Sequence, residues 1–146
     1  MLKKVDHVTL VVKDLNKTLK SYQKIFSLTP QAGSGFIRDF PDCKLAMLDT
    51  PDGARIEFME PKPGIANHFT RFLDEHGEGV CGICFYLDDF EAEVRALKLK
   101  GVPVEEEQQA LLFPDKPFRI AWVPPEDGHG VWLELVDVKA LPDFEL

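Results

Sequence analysis

Three ionisable residues stand inside otherwise apolar, strand-like segments, and together they offer the donor set of a divalent cation. His7 lies in Val5-Asp6-His7-Val8-Thr9-Leu10-Val11-Val12, Glu57 in Ile56-Glu57-Phe58-Met59, and Glu134 in Leu133-Glu134-Leu135-Val136. A carboxylate among strand apolars carries a desolvation cost unless a cation or hydrogen-bond donors offset it. One imidazole nitrogen and two carboxylate oxygens arriving from different strands would suit a divalent ion. Taken singly, each residue has a plainer reading. A lone Glu in a half-exposed strand is ordinarily solvated, and a lone His is ordinarily a hydrogen-bonded structural residue. Alternate strand residues share a face, so His7 goes with Thr9 and Val11 on a more polar face suited to a cavity. Val8, Leu10 and Val12 would then pack against a helix.

What lifts the three above their plain readings is an internal repeat. Val5–Val12 runs into Lys13-Asp14-Leu15-Asn16, and Val80-Cys81-Gly82-Ile83-Cys84-Phe85-Tyr86-Leu87 runs into Asp88-Asp89-Phe90-Glu91, seventy-five positions later. Each strand enters an acidic turn with an N-cap candidate, Asp14 or Asp89. A helix should follow each time, carried by Leu15, Leu19, Tyr22 and Phe26 in the first copy. Phe90, Val94, Leu97 and Leu99 carry it in the second, with Gly101 as the stop. The copies also end alike. Pro51-Asp52-Gly53 turns into Ala54-Arg55-Ile56-Glu57-Phe58, and Asp127-Gly128-His129-Gly130 turns into Val131-Trp132-Leu133-Glu134-Leu135. Lys44–Leu48 and Phe118–Val123 would supply the preceding hairpin strands. The repeat puts Glu57 and Glu134 in equivalent places.

The expected architecture is therefore α+β, two tandem βαβββ modules forming a single domain over 1–140. Module one covers 1–62, a linker helix 63–77 (its helical pattern at Ala66–His76), module two 78–138, and a tail 139–146. Neither half could bury a sheet face alone, so the curved mixed sheets of both are expected to enclose one cavity.

Other residues rank lower. His68 and His76 fall in the linker helix and His129 in a turn, where surface placement is the default. Arg38, Arg55 and Arg119 could receive an anion, but nothing in the pattern orders them. Glu105-Glu106-Glu107 reads as a solvated face. Cys81-Gly82-Ile83-Cys84 has redox spacing, yet it sits in a strand-like run rather than at a helix start, which favours buried structural thiols. No phosphate-binding glycine loop, serine nucleophile elbow or zinc-finger spacing is present.

Composition narrows the partners. The chain has 146 residues, is 45% hydrophobic and 29% charged, and carries a formal charge of -8, so it has the make-up of a globular domain with an acidic surface. Such a surface disfavours nucleic acid and anionic membrane. No apolar run reaches the ~20 residues of a bilayer span. Three cysteines without a secretory leader point to a reducing, cytoplasmic setting.

The ordered segments Asp6–Leu15, Ala54–Pro61 and Asp127–Leu135 resemble the vicinal oxygen chelate superfamily across roughly Lys3 to Val138. That superfamily includes glyoxalase I, methylmalonyl-CoA epimerase, extradiol dioxygenases and bleomycin-resistance proteins. The run from Glu57-Phe58-Met59-Glu60-Pro61 through Ala66–Leu73 to Gly79–Cys84 is most similar to the epimerase and glyoxalase branch. The resemblance implies one divalent metal (zinc, cobalt, nickel or manganese) held by His7, Glu57, the residue at 82 and Glu134. It also implies a homodimer acting on a small molecule. The implied activity is a lyase or isomerase reaction in which the metal stabilises an enolate of a carbonyl or thioester substrate. His7, Glu57 and Glu134 would be the ligands, and Glu57 or Glu134 the catalytic base. Here the chain departs from the pattern: position 82 is Gly, where the family usually has His. Cys84 shares the face of position 82, and Cys81 should point away. The stretch Ser34–Phe40, where an epimerase base is expected, has no Glu and only Asp39. The alternative is a metal-free binding or resistance protein of the same fold; an iron dioxygenase is a weaker third, since its second His is the missing one.

Overall fold

The computed structural model describes residues 1–26, 37–109 and 115–140. Its elements follow in the order β1 (Leu2–Val11), α1 (Leu15–Phe26), β2 (Arg38–Asp39), β3 (Cys43–Asp49), β4 (Arg55–Pro61) and α2 (His68–His76). The second half continues with β5 (Gly79–Leu87), α3 (Phe90–Leu99), β6 (Glu105–Gln109), β7 (Phe118–Val123) and β8 (Trp132–Asp137), then a short 3₁₀ turn over Val138–Ala140. Both halves are βαβββ, as the repeat requires. The strands form an open mixed sheet in the order β2-β3-β4-β1-β5-β8-β7-β6, with three α-helices among the described residues. The chain divides into two compact units, Val8–Cys81 and Met1–His7 with Gly82–Leu146, so the boundary cuts β1 and β5.

In the unit Val8–Cys81, Val12, Leu15, Leu19, Ala46, Leu48 and Phe58 form a buried cluster, with Leu10, Tyr22 and Ile56 packed on it. Leu10 and Val12 thus meet α1 as alternation requires, and Val11 is buried on the face of Thr9. Tyr22 sets its ring edge-on to Phe58 with centroids 4.7 Å apart. Phe58 is fully buried, and removing such a side chain from water stabilises by about 1.5–3 kcal/mol. Phe26, expected to extend the stripe, is exposed and touches Tyr22 at the helix end. The start of α1 is doubly secured. Asp14 Oδ1 accepts from Lys17 N at 2.9 Å, and Glu60 Oε2 from β4 accepts from Leu15 N at 2.7 Å.

The other unit repeats the scheme. Leu87, Phe90, Val94, Ala121, Val123 and Leu135 form its cluster, with Phe85, Leu97 and Leu133 against it. Asp89 caps α3 through Ala92 N at 3.1 Å. Gly101, at φ +78, ends the helix as Val102 N bonds back to Leu97 O. Leu99, expected in the apolar stripe, is instead exposed.

Two expectations need correction. The linker helix begins only at His68, because Asn67 adopts extended backbone and caps Thr70 N at 2.9 Å. His68 is half-buried against Phe69, ring centroids 4.0 Å apart, rather than on the surface. Glu105–Glu107 are exposed, as a solvated face should be, and they open an edge strand, β6, that pairs with β7. A charged edge strand has no buried face to give a period-2 signal, and its charge guards against edge pairing. Arg119 is likewise structural: it pairs with Glu91 and with Glu106 (2.6 Å) and lies over Phe90.

Replacing Glu60 with Ala should remove one cap of α1 and cost about 1–2 kcal/mol in urea unfolding, with an unchanged denaturant slope. An unaltered midpoint would mean that water satisfies Leu15 N equally well.

Candidate functional site

The candidate site is built outward from β1. Asp6 and His7 are consecutive and both buried, at 1% and 7% exposure. His7 Nδ1 lies 2.9 Å from Asp6 Oδ2, and the Lys4 ammonium lies 3.1 Å from Asp6 Oδ1. The carboxylate can only accept, so Nδ1 carries the proton, and in the neutral ring Nε2 presents its lone pair. Nε2 faces Glu134 Oε2 from β8 at 3.5 Å. That separation is long for a good hydrogen bond. It is close to the ~3.0–3.4 Å between two ligands each about 2.1 Å from a shared ion.

Cys84 on β5 completes this cluster. Ligand atoms of Asp6, His7 and Cys84 lie within 4.8 Å of one another, and all three residues are buried. Cys84 stands opposite Glu134 in the parallel β5–β8 ladder. Burial pushes its thiol well above the usual range; the charges of Glu134 and Asp6 add to this, and a hydrogen bond with His7 opposes it. Gly82, two residues earlier, is buried opposite Trp132 and offers no donor atom.

Glu57 belongs to the unit Val8–Cys81, where its Oε1 accepts from Thr9 Oγ1 at 3.0 Å. Both residues are buried, Thr9 at 4% and Glu57 at 8%. Glu57 stands opposite Met47 and shares its strand face with Met59, which clusters with Cys43 and Leu45. The Cys43 thiol is pushed up to about 12, first by burial, then by Asp42, with Glu57 contributing. Thr9 and Glu57 thus meet as a buried donor–acceptor pair rather than as a solvated edge.

The structure therefore brings His7 and Glu134 face to face, and gives Glu57 a hydroxyl partner. Cys81 turns away, as expected, its Sγ donating to Thr9 O at 3.6 Å. The remaining histidines stay outside this cluster: His76 stacks on Phe72, and His129 is exposed at φ 56. Asp39 pairs with Lys62, whose hydrogen bond holds its carboxyl below the usual range. Ser34–Phe36, the first part of the stretch in which an epimerase base is expected, lies outside the described residues. Sequence reasoning missed Asp6, because alternation assigns it the face opposite His7. The adjacent Asp-His pair was the available signal, since metal-binding His commonly shares its other nitrogen with a carboxylate.

Residues 6–122 match the model of the glyoxalase/bleomycin resistance protein/dioxygenase superfamily. The chain belongs to that superfamily. A Streptomyces coelicolor methylmalonyl-CoA epimerase variant in complex with 2-nitronate-propionyl-CoA is similar at 27% identity and TM-score 0.74, covering 98% of this chain and 99% of that one. The Mycobacterium tuberculosis methylmalonyl-CoA epimerase shares the fold at 24% identity and TM-score 0.74, covering 93% and 88%. A hypothetical protein from Bacillus halodurans C-125 shares it at 23% identity and TM-score 0.75, covering 96% and 97%. No curated protein matches the chain in sequence. Members of the superfamily commonly bind a divalent metal, and Asp6, His7 and Cys84 form a buried group that could hold one, with Glu134 Oε2 3.5 Å from His7 Nε2. No helix among the described residues is long and apolar enough to cross a membrane.

Replacing Asp6 with Ala should release the His7 ring, converting a single Nδ1–H tautomer into a mixture in long-range ¹⁵N–¹H correlation spectra. Retention of the single tautomer would show that another contact orients the ring.

Proposed function

We propose that the chain is a metal-dependent lyase or isomerase that removes a proton beside the carbonyl of a small thioester or ketone. The observation that carries this reading is the approach of His7 Nε2 to Glu134 Oε2, with Asp6 fixing the ring from behind. His7 and Glu134 would hold the metal. The family resemblance, rather than any distance, adds Glu57 to the set. A bound divalent ion would polarise the substrate carbonyl and stabilise the enolate charge.

The chain's own groups would do the rest. Asp6 keeps the His7 proton on Nδ1, which leaves the Nε2 lone pair directed at the place the metal would occupy. A carboxylate accepts the carbon-bound proton, with Glu134 and Glu57 as the two candidates. Thr9 orients Glu57 by donating to Oε1. The similarity to methylmalonyl-CoA epimerases favours a CoA thioester substrate, with a glutathione hemithioacetal as the glyoxalase-type alternative. We further propose a cytoplasmic homodimer, an expectation drawn from the resemblance and the cysteine content.

A second reading rests on Gly82: with no ligand at that position, the fold would serve as a metal-free small-molecule binder. The two readings separate on metal content and on the effect of a chelator on melting temperature.

Glu134→Gln should lower metal affinity by roughly 10–100-fold or more and abolish exchange of the substrate's α-proton into D₂O, while circular dichroism stays unchanged. Full metal content and full exchange in this variant would refute the assignment. Substoichiometric metal in untreated wild-type protein, without a chelator effect, would select the binding module. If Glu57→Gln keeps its metal but loses exchange, Glu57 is the base.

A further inference from the structure

We propose that Cys84 takes the ligand place that Gly82 leaves open, giving a His7–Glu134–Cys84 centre that prefers zinc-like ions over manganese or magnesium. The inference rests on the metal-dependent reading above and deepens it. Positions 82 and 84 are two apart on β5, so both face the same way. Cys84 clusters with His7 and Asp6 within 4.8 Å and stands in register with Glu134, which itself faces His7 at 3.5 Å. His7 thus has both of the other residues within reach, and Cys84 and Glu134 are paired in register on neighbouring strands.

The repeat supplies an independent argument. Advancing seventy-five positions carries His7 to Gly82 and Thr9 to Cys84. In the first copy, Thr9 donates to Glu57. The second copy places Cys84 opposite Glu134, the counterpart of Glu57. The strand that lost a donor at the histidine position therefore carries a stronger metal ligand at the next position on that face. Asp6 is not the missing ligand, because its oxygens already serve His7 Nδ1 and Lys4.

A buried thiol amid carboxylates makes a poor nucleophile. Its use here would be as a thiolate ligand, the thiol proton being released when a metal is held. Thiolate sulfur favours zinc and cobalt over the hard ions that oxygen ligands select.

The test is cobalt substitution of the full chain, read by the near-ultraviolet sulfur-to-cobalt charge-transfer band. Wild-type protein should show the band. Cys84→Ala and Cys84→Ser should both lose it, whereas Cys81→Ala and Cys43→Ala should keep it. Zinc affinity in the Cys84 variants should fall roughly 10–100-fold, with manganese affinity little changed. Stoichiometric cobalt without the band, or a band that survives Cys84→Ser, overturns the role of Cys84 and leaves the metal reading standing. Failure of wild-type protein to bind cobalt at all overturns both.

Discussion

A buried carboxylate on the first strand is the constraint around which the candidate centre is organised. Asp6 is 1% exposed, and an uncompensated charge there would be strongly destabilising. Lys4 supplies a cation on one oxygen and His7 a donor on the other. That arrangement fixes more than charge. A carboxylate on Nδ1 determines which nitrogen of His7 remains for a ligand and where the ring points. Nε2 consequently faces Glu134 on a strand more than a hundred residues away in sequence. The ion pair with Lys4 is only partly shielded, since the Lys4 side chain is 37% exposed. Its value lies in orienting the histidine more than in stabilising the fold.

The two sequence copies have solved the same problem of burying a carboxylate with different chemistry. Glu57 accepts from a hydroxyl, which is neutral and needs no cation. Glu134 instead faces a histidine and raises the proton affinity of a neighbouring thiol. Equivalent backbone positions thus carry unequal electrostatic demands. The pattern of acidic residues alone would suggest symmetric partners. The residues around them show that the His, the Asp behind it and the Cys all serve the unit that contains Glu134.

Much of this was legible in the sequence because the repeat is written in strong signals. β-Branched strands, acidic N-caps and glycine stops gave both βαβ starts, and Asp14, Asp89 and Gly101 act as expected. His7 and Glu134 were identifiable as charged interruptions of apolar strands. Weak elements escaped: β2 spans two residues, and β6 is a charged edge strand without a buried face. Phe26 and Leu99, in the last turns of their helices, show the limit of helical periodicity, because the apolar spacing continues where the side chains are exposed. Asp6 was hidden by the alternation rule itself. Side-chain length let a neighbouring carboxylate reach the imidazole that strand geometry assigns to the opposite face.

Family membership constrains the carbon chemistry less than the donor atoms do. The glyoxalase/bleomycin resistance protein/dioxygenase superfamily takes its name from both enzymes and resistance proteins, so the fold alone does not select between catalysis and binding. Selection comes from what the buried polar groups require. Asp6 directs His7 Nε2 toward Glu134 at 3.5 Å, longer than a normal hydrogen bond, and the metal-dependent reading proposed above rests on that approach. Under that proposal a divalent ion between nitrogen and oxygen would offset the desolvation of both groups, with Cys84 alongside. Gly82 would then mark a change of ligand type within the proposed centre, with Cys84 in place of the histidine that the family resemblance implies.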